Sequence, residues 1–254
     1  MLIDSHCHIH DPQYHFDAAE ILARARYADV QKVIVIGTSP DDNRIAQAFA
    51  EDHDGVYWSY GAHPGESNEL LKEDFQERIP VLGDGSGKSS FSKLVAIGEI
   101  GLDYHYQPFN KQQQIKLFEQ MLDLAQKHNL PVIFHVREAF DDFWPIVDNA
   151  KIKKAVLHSF SDNKANLQQA IQRNFYIGVN GLATFTNIPL PPLEYMLLET
   201  DAPYLTPKPF RGKINEPSYV KNIAEWVADK LEVPFDAVAA TTTQNATELF
   251  NLQD

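Results

Sequence analysis

KQQQIKLFEQMLDLAQKHNLPVIFHVR, residues 111–137, holds one helix–strand unit of the chain. Ile115, Phe118, Leu122 and Ala125 recur at the spacing of a single helical face, so Lys111–His128 reads as an amphipathic helix. The run Pro131–His135 is short and apolar, as a strand covered on both faces requires. It closes on His135, with Arg137 two residues beyond. A buried strand that ends in polar side chains sets the pattern for the rest of the chain.

Seven further apolar runs carry the same signature: Leu2–Ser5, Lys32–Ile36, Val56–Tyr60, Leu94–Gly98, Ala155–His158, Phe175–Val179 and Tyr195–Glu199. Amphipathic stretches lie between most of them. Phe16–Ala28 places Ile21, Leu22 and Ala25 on one face, and Asp42–Asp52 places Ile45, Ala46 and Phe49; Asn163–Arg173 and Ser218–Leu231 follow. Strands alternating with helices predict a parallel sheet of βαβ units. Eight strands in 254 residues favour an α/β fold of TIM-like (β/α)8 type, with residues 1–254 as one domain. No glycine-rich fingerprint follows the first strand, which opposes a dinucleotide-binding fold.

Two segments break the rhythm. Gly83–Ser92 imitates a phosphate-binding loop, but Leu82 stands where that pattern needs glycine, and a strand follows instead of a helix. Asn180–Glu194 contains Pro189, Pro191 and Pro192, so the seventh crossover is expected to be short or irregular.

The formal net charge is −13, from 22 basic and 35 acidic residues. That balance disfavours a passive nucleic-acid binder working by phosphate neutralisation. It does not oppose a metal enzyme, because bound cations reverse the local field. The single cysteine, Cys7, forbids an intramolecular disulfide and fits a reducing compartment. No signal-peptide pattern or membrane-length apolar run is seen. A cytoplasmic protein without membrane contact, monomeric or weakly oligomeric, is expected.

The unusual polar residues fall at carboxyl ends of strands: His6 and His8 after the first, His63 after the third, Glu99 and Asp103 after the fourth, His135 and Arg137 at the fifth, His158 at the sixth and Asp201 at the eighth. In a barrel these ends converge on one face, where active sites lie. His6 and His8 should point one way and Cys7 the other. His6, His8, Glu99, His135, His158 and Asp201 exceed the needs of one open catalytic zinc site. Two divalent ions would use them all, with Glu99 as the candidate bridge. His63 is expected as a ligand, a holder of water or a turn residue before Pro64. Asp4 either orients a ligand histidine through its second ring nitrogen or ends a strand. His10, His15, His53, His105 and His128 are expected on the surface or in loops.

These motifs resemble the TatD-type metal-dependent deoxyribonucleases, within the amidohydrolase-like group of metal barrels. The matching stretches are IDSHCHIH at 3–10, GAHP at 61–64, GEIGLDYH at 98–105, residues 111–139, VLHSFS at 156–161, LETDAPYLTPKPFRGKINEPSYV at 198–220 and QNATELF at 244–250. The resemblance implies a two-metal site (Mg, Mn or Zn) and hydrolysis of DNA phosphodiesters, with exonuclease action on single strands. It implies one ion on His6, His8, Glu99 and Asp201 and the other on Glu99, His135 and His158. Catalytic roles would fall to Glu99, to Asp201 as proton acceptor and to His63 beside the leaving oxygen; Arg137, Lys208, Arg211 and Lys213 would contact phosphates. This chain departs from the family in carrying Ser159 where cysteine is common and Asp162 where glycine is. Relatives usually carry a helix where this chain has its proline-rich seventh crossover. The same scaffold could instead hydrolyse an amide, ester, lactone or phosphomonoester. A purely structural metal role is disfavoured, since structural zinc normally uses four ligands, often cysteines.

Overall fold

The computed structural model describes residues 1–14, 17–70 and 93–252. Eight parallel strands pair in sequence order: β1 Leu2–Cys7, β2 Val30–Ile36, β3 Val56–Tyr60, β4 Leu94–Asp103, β5 Val132–Arg137, β6 Ala155–Leu157, β7 Tyr176–Val179 and β8 Met196–Leu198. The ring closes just beyond β8. Asp201 N–H donates to the His6 carbonyl at 2.9 Å, and His8 N–H donates to the Ala202 carbonyl at 2.7 Å. The result is a TIM barrel, as the run of apolar segments implies.

The helices are α1 Ala18–Tyr27, α2 Pro40–Asp52, α3 Lys111–His128, α4 Phe140–Ala150, α5 Lys164–Gln172, α6 Val220–Leu231 and α7 Phe235–Phe250, with a single helical turn at Ser67–Leu70. Local chemistry sets their ends. Asn110 accepts from Gln113 N–H to start α3, and Asn129, in the left-handed region at φ 52°, stops it. Ser39 caps α2, with Pro40 at its first position.

Two apolar layers result. Ile3, Ile34, Val95, Ile133, Val156 and Leu197 fill the lumen and pack on Leu249, Phe250 and Leu252 around the end of α7. The outer layer joins sheet to helices, with Phe118, Phe134 and Phe143 in mutual ring contact at 4.9–5.9 Å.

Irregular register aims the polar residues. Between Asp4 and Cys7 on β1 the partner strand advances two residues while β1 advances three. The bulge switches parity: Ile3 faces the lumen, yet Cys7 joins the outer layer. Without it, His6 would share the outward face of Leu2. A second shift lies between Ile97 and Ile100 of β4. Both of those residues pack outward, which leaves Glu99, Gly101 and Asp103 on the inner side. Gly101 is required there, because a Cβ would stand 1.9 Å from the His135 carbonyl oxygen.

Three expectations need amendment. His6 and Glu99 lie within strands longer than their apolar runs. Two helices, α4 and α7, lie outside the amphipathic stretches read above. His10 is buried, with Nε2 3.0 Å from Asp42 Oδ1, not on the surface. The seventh crossover is irregular as expected, with 3-10 turns at Gly181–Thr184 and Leu193–Tyr195 and no α-helix. The Gly83–Ser92 segment and His15 lie outside the described residues.

Candidate metal centre

The inward-aimed strand ends meet in a cavity of about 620 Å³ at the carboxyl face of the barrel. Glu99 stands at its centre, buried, with its two oxygens facing different groups. Oε2 lies 3.6 Å from His6 Nε2 and 4.0 Å from His8 Nε2. Oε1 lies 2.6 Å from His135 Nδ1 and 3.0 Å from His158 Nε2. Asp201 Oδ1 completes the first group, 3.7 Å from His6 Nε2 and 3.5 Å from His8 Nε2. All six ligand-type residues named from the sequence are therefore brought together.

Their spacing suits divalent cations. His6 Nε2 and His8 Nε2 approach to 3.3 Å. Two nitrogens each about 2.0–2.1 Å from one ion, at tetrahedral angles, stand about 3.4 Å apart. His6, His8 and Asp201 form one set able to hold a metal, and His6, Glu99 and His158 another.

The electrostatics of the cluster are those of a proton-filled cation site. Burial opposes ionisation of Glu99, yet His158, His135 and His6 outweigh it and hold the carboxyl well below the usual range. Asp201 is lowered against the same burial by its bond to His8. In return, burial works against charge on His158, but Glu99 and Glu199 raise it well above an ordinary imidazole. Burial and His158 together lower His6. Protons hold the charge balance that a cation would otherwise supply, so metal uptake must release them.

His63 sits at the rim. Gly65 N–H donates to its Nδ1 at 3.1 Å, and its Nε2 lies 3.9 Å from Glu99 Oε1. Burial, then the neighbouring His135, pushes its pKa down to about 4. Arg137 lines the same mouth and lies 5.0 Å above the Tyr106 ring. Lys208, Arg211 and Lys213 are exposed and do not line the cavity. Arg211 instead covers the Phe185 ring at 3.7 Å, and Lys213 lies 5.4 Å from that of Phe210.

Residues beyond that set also converge. Asp103 Oδ2 lies 2.9 Å from His135 Nε2, so both ring nitrogens of His135 face carboxylates. Glu199 is 1% exposed and packs behind His158. Glu199 stands two residues from Asp201 and Asp103 four from Glu99, even spacings that signal a shared face on a regular strand. Asp4 does not reach a histidine ring. It accepts from Thr200 N–H at 2.9 Å and Thr200 Oγ1–H at 2.5 Å, and more weakly from His6 N–H, clasping β1 to the segment after β8.

A TIM barrel whose strand ends gather imidazoles and carboxylates in this way defines a metal-dependent hydrolase. A family profile described as "TatD related DNase" matches residues 3–251, and the chain belongs to that family. It is 36% identical to the Bacillus subtilis protein named "Uncharacterized metal-dependent hydrolase YabD", over 99% of this chain and 100% of that one. It is 33% identical to "3'-5' ssDNA/RNA exonuclease TatD" of Citrobacter rodentium, over 94% of each. The crystal structure of the Escherichia coli TatD homologue YjjV superposes with a TM-score of 0.87 at 30% identity, covering 99% of this chain and 98% of that one. Among the described residues, no helix is long and apolar enough to cross a membrane.

Proposed function

We propose that this hydrolase cleaves phosphodiester bonds of single-stranded DNA, as an exonuclease, with two divalent ions shared across Glu99. The observation that carries the reading is the division of Glu99. One oxygen faces the His6–His8–Asp201 group and the other faces His135 and His158. One carboxylate serving two ligand sets is the arrangement a two-ion site needs. Bound there, divalent ions such as Mg, Mn or Zn would supply a hydroxide at neutral pH and offset charge on the phosphoryl oxygens. The activity in the name of the Citrobacter rodentium relative is consistent with this substrate class.

The chain's own residues divide the remaining work. Asp201 lies beside both first-strand histidines and accepts the proton released by the attacking water. His63 is neutral at pH 7, since its pKa is about 4. Its Nδ1 is occupied as an acceptor from Gly65 N–H, so the ring proton resides on Nε2, facing the mouth. His63 thus donates a hydrogen bond to the leaving or a non-bridging oxygen. Arg137 engages a phosphate, with Tyr106 beside it as a stacking surface. Lys208, Arg211 and Lys213 contact the strand outside the cavity.

The test is nuclease activity on single-stranded DNA with added Mg, Mn or Zn, next to chromogenic esters and phosphomonoesters. Glu99→Gln is expected to lose more than about 100-fold, since outer-shell partners of metal ligands alone cost up to that much. Equal activity of wild type and variant under every metal would overturn the proposal, and turnover confined to the small esters would reassign the substrate.

A further inference from the structure

His158 presents Nε2 to Glu99 Oε1 at 3.0 Å. A ring that ligates through Nε2 must carry its proton on Nδ1. That Nδ1 is fully buried and lacks a hydrogen-bond partner. An acceptor stands just out of range: Glu199 Oε1, at 3.6 Å. The carboxylate is itself well anchored. Its Oε1 accepts from Ser159 N–H at 2.7 Å and from Asn180 Nδ2–H at 3.2 Å. Asn180 Nδ2 also donates to Ser159 Oγ at 2.9 Å, so the serine hydroxyl in this chain joins the same network. The other oxygen occupies space reserved by Gly178, where a Cβ would meet Glu199 Oε2 at 2.2 Å. The His6 ring stacks on the face of His158 at 3.8 Å, with planes 10° apart. The imidazole thus has a ring against its face and a carboxylate near its Nδ1.

We propose that Glu199 is a positioning residue for the metal centre. It takes the Nδ1 proton of His158 in a hydrogen bond, fixes the tautomer that leaves the Nε2 lone pair free, and holds that lone pair towards Glu99. Glu199 touches neither substrate nor ion and acts through His158 alone. The inference rests on the two-ion reading above and adds to it a residue outside the ligand set. Ser159, Asn180 and Gly178 belong to the device because they locate the carboxylate.

Glu199→Gln tests it. The amide keeps the oxygen that faces Ser159, Asn180 and His158 but removes the negative charge that strengthens its hold on the His158 Nδ1 proton. The readouts are zinc and manganese affinity by titration calorimetry, the melting temperature of the chelated protein, and the His158 tautomer from nitrogen-15 imidazole spectra. The expected result is a melting temperature within a few degrees of wild type and a 10–100-fold weaker affinity for one of two ions, the range for outer-shell carboxylates. In wild type, the spectra should show His158 protonated on Nδ1. Unchanged affinity for both ions in the variant would overturn this inference alone. So would a wild-type ring protonated on Nε2 when loaded, a result that holds even if the variant misfolds. A wild-type protein that takes up no second ion would overturn the two-ion reading and this one with it.

Discussion

Asp4 is fully buried at the seam that closes the barrel, and burial pushes its pKa up to about 8 against the donors from Thr200 and His6. A carboxyl raised in this way is neutral in the folded protein over a range where the unfolded chain has lost the proton. The unfolded state therefore binds fewer protons, and stability falls as pH rises from about 4 to about 8. Each unit of difference is worth about 1.4 kcal/mol. Asp4→Asn removes the titration while keeping an oxygen for Thr200. In chelated protein the variant is expected to melt with little slope between pH 5 and 8, while wild type loses stability. Parallel melting curves for the two proteins would contradict this. The same position shows what a residue-by-residue reading could see. His6, His135 and His158 were legible because each interrupts or closes an apolar run. Asp103 was legible only as a strand-end residue, Asp4 only as one of two alternatives and Glu199 not at all, since sequence gives no sign of which buried carboxylate meets a ring and which meets backbone. A one-residue bulge in β1 decides that Asp4 clasps Thr200 while His6 turns into the mouth.

At the scale of elements, the strands were legible because apolar runs survive the bulges within them. Helix α4 was hidden by Pro145 inside it, and α7 by its central Thr241–Thr243 run, which has weak helix propensity. Helix α7 has a distinct place in this barrel, because the seventh crossover supplies no α-helix of its own. Asn245 on α7 donates through Nδ2 to the Leu193 carbonyl at 2.8 Å and the Met196 carbonyl at 2.9 Å. The contact fixes the 3-10 turn that leads into β8, the strand before Glu199 and Asp201. Asn245→Ala takes the side-chain donor from both carbonyls, of which that of Leu193 keeps the Met196 N–H, and should cost roughly 1–3 kcal/mol for the two bonds lost, read as a lower urea midpoint with an unchanged slope. A midpoint equal to wild type would show that the turn holds without α7.

Over the whole molecule, the cluster of ligand-type residues is assembled from β1, β4, β5, β6 and the segment after β8, so it exists only when the barrel is closed. Any ion that binds this set binds the native state and stabilises the whole fold. At 100 times its dissociation constant, one ion adds about 2.7 kcal/mol. In a protein of this size each kcal/mol moves the melting temperature by roughly 2–4 °C. Chelation should therefore lower the melting temperature by about 5–10 °C for each ion lost, and re-addition of Zn or Mn should restore it. The gain must shrink as pH falls, because His6, His8, His135 and His158 bind cations only when deprotonated at the ligating nitrogen. His158, raised well above an ordinary imidazole when no ion is present, makes that competition steep. Glu99→Gln should abolish most of the shift while leaving the chelated protein folded, because its loss uncouples both halves of the set. Equal melting temperatures with chelator and with metal, across pH 5 to 8, would mean that these six side chains hold no ion and that their convergence is a network of protons alone.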